Sequence, residues 1–298
     1  MVSRRAVITG TLSGAALIGV AAGGVALAAD GVIPGQARVD RALGYCSVTR
    51  PPVHATPGPI VTGSFASSYR HADVGYRIAY PPGHRAGDRL PVALLLHGFA
   101  ENSATVLDAG NYPAYLAAAV NAGTRPFALA APDGGNGYWH PHPGDDPLGM
   151  LVHEFLPLLG AHGLSIARPA VTGISMGGYG ALLTGLTLPD RFAAVVANSP
   201  AFWSSYEQAR HVNAGAFGSA ADWDDYGNLL GRSASIAKLH VRIFIGSSDP
   251  FEPIVSRLRR SLPDPSVVRV SKGCHDGTFW QAHATDTITA LGTALSRA

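Results

Sequence analysis

Short, continuous apolar runs alternate with segments of helical spacing along most of this chain. Pro91–Leu96 and residues 126–131 are two such runs, and the helical pattern of residues 112–122 lies between them. Apolar runs without polar alternation predict strands buried on both faces, as in parallel sheets. Because parallel strands need crossover connections, the alternation predicts an α/β fold, a mostly parallel sheet with helices on both faces.

The same alternation continues towards the C terminus. Further strands are predicted at 167–172, 192–197, 240–245 and 267–270, and further helices at 148–160, 178–187 and 278–297. Residues 74–80 alternate between apolar and polar positions and end at Pro81, which predicts an edge strand.

The N-terminal part of the chain differs from the rest. Arg4 and Arg5 precede a mildly apolar stretch that ends in the A-x-A sequence 26–28, which is typical of a Tat-type export signal over residues 1–29. The alternative is an uncleaved anchor. Residues 30–66 are rich in Pro, Gly, Ser and Thr and predict an extended arm or linker. One folded domain is expected over residues 67–298.

The charge and the cysteines limit which classes of partner and which cellular compartment fit this chain. The 22 basic and 20 acidic residues give a formal net charge of +2, which argues against a nucleic-acid surface. An export signal instead suggests peripheral association with the cell envelope. In an exported protein, Cys46 and Cys274 predict one disulfide, and the alternative is two unpaired thiols.

One short motif carries the strongest chemical signal. Ser175 is the centre of Gly173-Ile174-Ser175-Met176-Gly177, with a predicted strand before it and an Ala/Leu-rich helix after it. A strand–turn–helix elbow of this kind projects a nucleophilic hydroxyl above a parallel sheet. The sequence therefore predicts Ser175 as a nucleophile, and the alternative is a glycine-rich turn with a structural serine.

A serine nucleophile needs a base, and in such elbows the partners follow in the order Ser, Asp or Glu, His. Four histidines follow Ser175: His211, His240, His275 and His283. Only His275 lies in a loop directly after a predicted strand, so it is the predicted base.

The acid is expected after the preceding strand. Asp249 lies there, and Glu252, three residues on, is the second candidate. The acid would accept the other ring N–H of His275 and hold its tautomer.

Two backbone N–H groups must stabilise a tetrahedral oxyanion. Met176, directly after the nucleophile, is predicted to supply one. The loop after Pro91–Leu96 is expected to supply the other from Phe99, with Ala100 as the alternative, and His97 is expected to shape this loop.

A substrate pocket is expected near this loop. His97, Trp139 and Trp203 are the candidates for its wall. Trp203 belongs to residues 201–239, which interrupt the strand–helix alternation and predict a small cap-like insertion. The alternative is a surface excursion whose aromatic side chains fill a satellite core.

One histidine-rich segment could suggest a metal site. His140, His142, Asp145 and Asp146 have a spacing found among metal ligands. The prolines between them favour a solvent-facing loop, so no metal and no cofactor are expected.

Six segments together resemble the esterase family that includes esterase D (S-formylglutathione hydrolase) and the antigen 85 mycolyltransferases. The segments are residues 95–99, 132–135, 154–157, 173–180, 246–251 and 273–280. The resemblance covers roughly residues 70–298 and implies an α/β-hydrolase fold, acyl-ester chemistry and no metal. It supports the same roles for Ser175, Asp249, His275, Phe99 and Met176.

The resemblance has two departures that bear on function. Antigen 85 proteins usually carry Asp at the position of His97 and Glu at that of Asp249, so mycolyl transfer is not implied. The leading hypothesis is an exported serine esterase that acts on a small-molecule or lipid ester. The alternatives are an acyltransferase that uses an envelope sugar or lipid hydroxyl, and a non-catalytic envelope-binding protein.

Overall fold

The structure is a computed structural model that describes residues 40–298. The predicted export signal, residues 1–29, and the start of the predicted arm lie outside the described residues.

Eight strands form one sheet in the order β1-β2-β4-β3-β5-β6-β7-β8. The strands are β1 Ile60–Ser67, β2 Ala72–Ala79, β3 Pro91–Leu96, β4 Ala128–Pro132, β5 Ser165–Ile174, β6 Val195–Asn198, β7 Val241–Gly246 and β8 Val268–Ser271. The strands from β3 to β8 are parallel to one another, and β2 pairs antiparallel with both β1 and β4. The prediction of a mostly parallel sheet is confirmed.

Helices cover both faces of the sheet. They are α1 Ser103–Ala109, α2 Tyr112–Asn121, α3 Pro147–Met150 continuing through a π-helical turn Leu151–Phe155 into Leu156–Ala161, α4 Met176–Thr187, α5 Tyr206–Val212, α6 Ala220–Asp222, α7 Ser233–Ile236, α8 Glu252–Ser261, α9 Gly277–Ala282 and α10 Ala284–Leu295. Two apolar clusters fill the space between the helices and the two faces of the sheet. None of the helices within residues 40–298 combines the length and apolar character that crossing a bilayer requires.

Two predictions at the start of the domain are wrong. Residues 60–66 lie in the predicted arm, yet they belong to the edge strand β1. The predicted edge strand, residues 74–80, falls mostly in β2, which lies between β1 and β4. Phe65 explains the placement of β1, because its ring packs 6.2 Å from Tyr76 and 6.3 Å from Phe155. Only one face of β1 is packed in this way, which leaves no continuous apolar run in the sequence.

The predicted closing helix is two helices. The break falls at His283, between α9 and α10. Nε2 of His283 lies 2.8 Å from the Ser271 hydroxyl, and its Nδ1 lies 3.3 Å from Asp286. These contacts tie the break to β8, and they depend on tertiary structure rather than on the helical pattern.

Residues 201–239, predicted as a cap-like insertion, contain several short helices. Two of its aromatic side chains, Trp203 and Phe217, are buried, with their rings 5.1 and 6.0 Å from that of Tyr138. Trp203 also packs 5.8 Å from Phe251, in the loop after β7. The insertion therefore extends the core at the carboxyl edge of the sheet.

The segment before β1 is fixed to the domain by covalent and polar contacts. Cys46 is bonded to Cys274, across 228 residues of sequence. Arg50 donates to Gln281 at 2.9 Å, and the Tyr115 hydroxyl donates to the carbonyl of Pro51 at 2.9 Å. Because Cys274 directly precedes His275, the disulfide anchors both the N-terminal segment and the loop after β8.

We expect the double variant Cys46→Ser/Cys274→Ser to lose about 2–5 kcal/mol of unfolding free energy, because the disulfide closes a long loop in the unfolded chain. Urea unfolding of oxidised wild type and variant measures this loss. Reductant should lower the wild-type midpoint and leave the variant unchanged. Equal midpoints for oxidised wild type and variant would contradict the expectation.

Candidate active site

Ser175 lies at the turn between β5 and α4 in a conformation that L-residues rarely adopt, with φ 54° and ψ −118°. The two motif glycines make this turn possible. A Cβ on Gly173 would lie 2.2 Å from the carbonyl oxygen of Gly177, and one on Gly177 would lie 2.0 Å from that of Leu96. The strand and helix therefore approach too closely for any other residue at either position.

The structure brings Ser175, His275 and Asp249 into one hydrogen-bonded chain. The Ser175 hydroxyl lies 2.8 Å from Nε2 of His275, and Nδ1 of His275 lies 2.8 Å from Oδ2 of Asp249. The three residues follow β5, β8 and β7, so they meet at the carboxyl edge of the sheet. This is the geometry in which a serine hydroxyl transfers its proton to an oriented imidazole.

Asp249 is fixed by hydrogen bonds beside His275, whereas the carboxylate of Glu252 is bonded within its own helix. The side chain of Asp249 is fully buried, and its Oδ1 accepts the N–H of Phe251 at 2.9 Å. Glu252 begins α8, where its carboxylate accepts the hydroxyl of Ser256. The second candidate for the acid is therefore not bonded to His275.

Neighbouring groups fix the ring of His275. Phe251 and Trp280 flank it, with ring centroids at 5.3 and 5.6 Å. Asp276 caps α9 by accepting the N–H groups of Thr278 and Phe279. The loop after β7 and helix α9 therefore hold the imidazole from both sides.

Three carboxylates control the protonation of His275. Burial, the largest single effect, opposes the charged imidazole, but the charge and hydrogen bond of Asp249 together with the charges of Asp276 and Glu101 outweigh it. The result is that the pKa of His275 lies above its ordinary value of 6.5. The same carboxylates would stabilise the imidazolium that forms when Ser175 loses its proton.

The peptide between Gly98 and Phe99 is oriented by His97. Nδ1–H of His97 donates to the carbonyl of Gly98 at 2.7 Å, while Nε2 accepts the N–H of Gly134 at 2.8 Å. In a trans peptide the N–H points opposite to the carbonyl. Holding the Gly98 carbonyl therefore also aims the N–H of Phe99.

Competing hydrogen bonds distinguish the two candidate donors in this loop. The N–H of Ala100 donates to Oδ1 of Asn136 at 2.7 Å. Within residues 40–298, neither the N–H of Phe99 nor that of Met176 has an acceptor. Met176 is the first residue of α4, where helix N–H groups lack intrahelical partners. The N–H groups of Phe99 and Met176 are therefore free to donate hydrogen bonds to an oxyanion.

Two of the three predicted pocket residues have no exposed surface. His97 and Trp139 are completely buried. Nε1 of Trp139 donates to the carbonyl of His97 at 3.2 Å, so both support the loop from below. Trp203 does line a cavity of about 720 Å³, with Tyr45, Phe251 and Asp249 among the other wall residues; Ser175 and His275 are not in its wall.

Glu101 is a site residue that the sequence did not reveal. Its Oε2 accepts the N–H of Gly98 at 2.8 Å, and a Cβ on Gly98 would lie 3.0 Å from that oxygen and 3.4 Å from Cβ of Ser175. Burial raises the pKa of Glu101 against the opposing effects of Gly98 and His275. No feature of the sequence distinguishes Glu101 from an ordinary exposed carboxylate after a loop.

The histidine-rich segment has structural roles. Nε2 of His140 contacts the carbonyl of Ala216 at 2.6 Å, and Asp145 pairs with Arg70 at 2.7 Å. His140 is fully buried, so the prediction of a solvent-facing loop is wrong at this residue. Within the described part of the chain, no three His, Cys, Asp or Glu side chains form a group that could hold a metal ion.

Comparison with known proteins agrees with this geometry. Residues 67–257, more than half of the chain, match the family described as "Putative esterase". The match confirms the family resemblance inferred from the six sequence segments. No curated protein matches the chain significantly.

Solved structures share the fold at low sequence identity. A ferulic acid esterase is 22% identical with a TM-score of 0.66, over 80% of this chain and 97% of its own. An S-formylglutathione hydrolase from Agrobacterium tumefaciens is 18% identical with a TM-score of 0.63, over 79% and 95%. A substrate-bound fluorophosphonate-binding serine hydrolase, FphF from Staphylococcus aureus, is 18% identical with a TM-score of 0.62, over 80% and 99%. These similarities confirm the α/β-hydrolase fold.

The raised pKa of His275 predicts where activity is lost in acid. A base must be neutral, so kcat/KM should fall as pH decreases through a value above 6.5. Glu101→Gln removes one carboxylate near the ring but keeps an acceptor for Gly98, and should shift this midpoint downward. Rates on a short p-nitrophenyl ester between pH 5 and 9 measure both effects.

The matched control for this shift is Asp190→Asn. This variant removes one exposed carboxylate from the loop before β6, away from the triad, and its midpoint should equal that of the wild type. A wild-type midpoint below 6.5, or equal shifts in the two variants, would contradict the assigned electrostatics.

Proposed function

The chain is a serine hydrolase of the family described as "Putative esterase", a carboxylic ester hydrolase, and we propose that it acts through an acyl-enzyme on Ser175. The observation that carries this proposal is the hydrogen-bonded chain from Ser175 through His275 to Asp249, with 2.8 Å at each step. The N–H groups of Phe99 and Met176, for which residues 40–298 offer no acceptor, also support it.

The proposed reaction has two steps. In the first, Oγ of Ser175 bonds to the ester carbon as its proton passes to Nε2 of His275, and the carbonyl electrons move to the oxyanion held by Phe99 and Met176. Collapse of this intermediate breaks the bond to the alcohol, which leaves with the proton from His275. In the second step water repeats the sequence, and the acid is released.

We propose hydrolysis rather than acyl transfer as the main outcome. The side chain of His275 is 21% exposed, and Phe99 beside the nucleophile is 50% exposed. Transfer to another hydroxyl requires a site that excludes water. Exposure at this level favours water as the acceptor.

The cavity that Asp249 and Trp203 line supports a bulky group on the substrate. Tyr45, Trp203 and Phe251 give it aromatic walls, and its volume of about 720 Å³ exceeds that of a short acyl chain. Among the structural relatives are a ferulic acid esterase and an S-formylglutathione hydrolase. Methyl ferulate and S-formylglutathione are therefore the first compounds to compare with p-nitrophenyl acetate.

We expect Ser175→Ala to reduce ester hydrolysis by at least about 10³-fold, because it removes the nucleophile while the fold is retained. The control is Ser235→Ala, which alters an exposed serine on α7 and should keep full activity. A fluorophosphonate probe should label the wild type and the control but not Ser175→Ala. Equal hydrolysis by all three proteins would contradict the assignment.

The same assay separates the competing functions. With an added alcohol, a transfer product that outweighs the free acid would favour the acyltransferase. Failure to turn over or to react with the probe would favour a non-catalytic binding protein.

We also propose that the protein is exported. The twin-arginine segment supports this, and so does the disulfide between Cys46 and Cys274, since such bonds persist in oxidising compartments.

Export predicts a mature protein that begins at Ala29, after cleavage of the A-x-A sequence. Mass spectrometry of protein from a host with twin-arginine export would measure this N terminus. Arg4→Lys/Arg5→Lys should leave the uncleaved chain inside the cell. A wild-type protein found only inside the cell with Met1 intact would contradict the proposal.

A further inference from the structure

Four arginine side chains line one groove at the amino edge of the sheet, opposite the triad. Arg168 comes from β5, Arg242 from β7 and Arg269 from β8, and Arg297 follows α10. The cavity that they line has a volume of about 640 Å³. We refer to it as the arginine groove.

Strand register and helix spacing together produce this convergence. Arg269 pairs in register with Phe244, and Arg242 shares the face of Phe244 because side chains two residues apart point the same way. Along the facing wall, α10 presents Asp286, Ala290 and Ala294 before Arg297. The groove thus lies between one face of the sheet and the C-terminal helix.

The positive charge of the arginine groove is poorly balanced. Its one carboxylate, Asp286, already pairs with Arg269 at 2.8 Å. Arg242 donates to the backbone carbonyl of Ser266 at 3.4 Å, and its charge contributes, after the hydrogen bonds from Ser266, to lowering the pKa of the exposed carboxyl of Asp264. Within residues 40–298, neither Arg168 nor Arg242 nor Arg297 has a salt-bridge partner.

Structural needs account for two of the four arginines. Arg269 lies on the edge strand β8, where a charged side chain prevents pairing with another chain. Arg297 follows the end of α10, where a cation is favourable for the helix dipole. Neither reason applies to Arg168 or Arg242, which come from interior strands of the sheet.

The floor of the arginine groove is apolar. Ala194, Val196 and Phe244 form it, and Ala290 on α10 lies beside it. Guanidinium groups bind phosphate oxygens in pairs, and an apolar floor favours a hydrocarbon. We propose that the arginine groove binds a phosphate-headed amphiphile, with the phosphate between Arg168 and Arg242 and the hydrocarbon over Phe244.

Calorimetric titration of the full chain with octyl phosphate tests the proposal. We expect saturable binding at least tenfold tighter than that of inorganic phosphate, because only octyl phosphate also covers the apolar floor. The double variant Arg168→Gln/Arg242→Gln should bind octyl phosphate at least tenfold more weakly than the wild type does. The matched control Arg210→Gln/Arg260→Gln removes two exposed charges from α5 and α8, which do not line the groove, and should bind as the wild type does.

Vesicles of phosphatidylcholine with and without phosphatidic acid identify the source of the headgroup. Phosphatidic acid-dependent binding that is lost in Arg168→Gln/Arg242→Gln would support a membrane lipid, and octyl phosphate binding without vesicle binding would support a soluble ligand. Equal affinities for octyl phosphate and inorganic phosphate would overturn the proposal. The proposal would also be overturned if the groove variant and the control variant lost the same affinity for octyl phosphate while both kept the thermal midpoint of the wild type.

Discussion

The close approach of β5 and α4 at Ser175 is the constraint on which the site depends. A left-handed φ at a serine costs on the order of 1–3 kcal/mol, so surrounding contacts must enforce it. The N–H of Ser175 donates to the carbonyl of Asn198 at 2.9 Å, and its carbonyl accepts the N–H of Ala201 at 3.1 Å. Both partners belong to the neighbouring strand β6 and the loop after it, so the sheet itself holds the nucleophile in the strained turn.

The loop after β3, residues 97–100, is likewise fixed by its surroundings, here through buried hydrogen bonds. His97 has no contact with solvent, and burial lowers its pKa, which keeps the ring neutral. A neutral ring has one donor and one acceptor, and here the two hold Gly98 and Gly134. The orientation of the Phe99 N–H, the proposed oxyanion donor, thus depends on a completely buried histidine.

Strands and helices whose own residues show a clear apolar pattern were predictable from sequence. The strand Pro91–Leu96 was predicted to the residue because it is buried on both faces. The grouping of Ser175, Asp249 and His275 followed from the rule that loops after parallel strands share one edge. By contrast, β1 and the break at His283 depend on partners in other elements of the fold, Phe155 and Ser271. The roles of Trp139 and Glu101 were hidden for the same reason, since burial and distance to Ser175 arise only in three dimensions.

The two edges of the sheet carry opposite electrostatics, and each suits a different task. At the carboxyl edge, Asp249, Asp276 and Glu101 surround one imidazole, and an oxyanion there must rely on neutral backbone donors. At the amino edge, arginines outnumber carboxylates, which is suited to holding an anion that is already charged. Because β5 and β7 run between the edges, the same two strands supply Arg168 and Arg242 at one end and position Ser175 and Asp249 at the other. Charge placed along a parallel strand can therefore serve binding at its start and catalysis at its end.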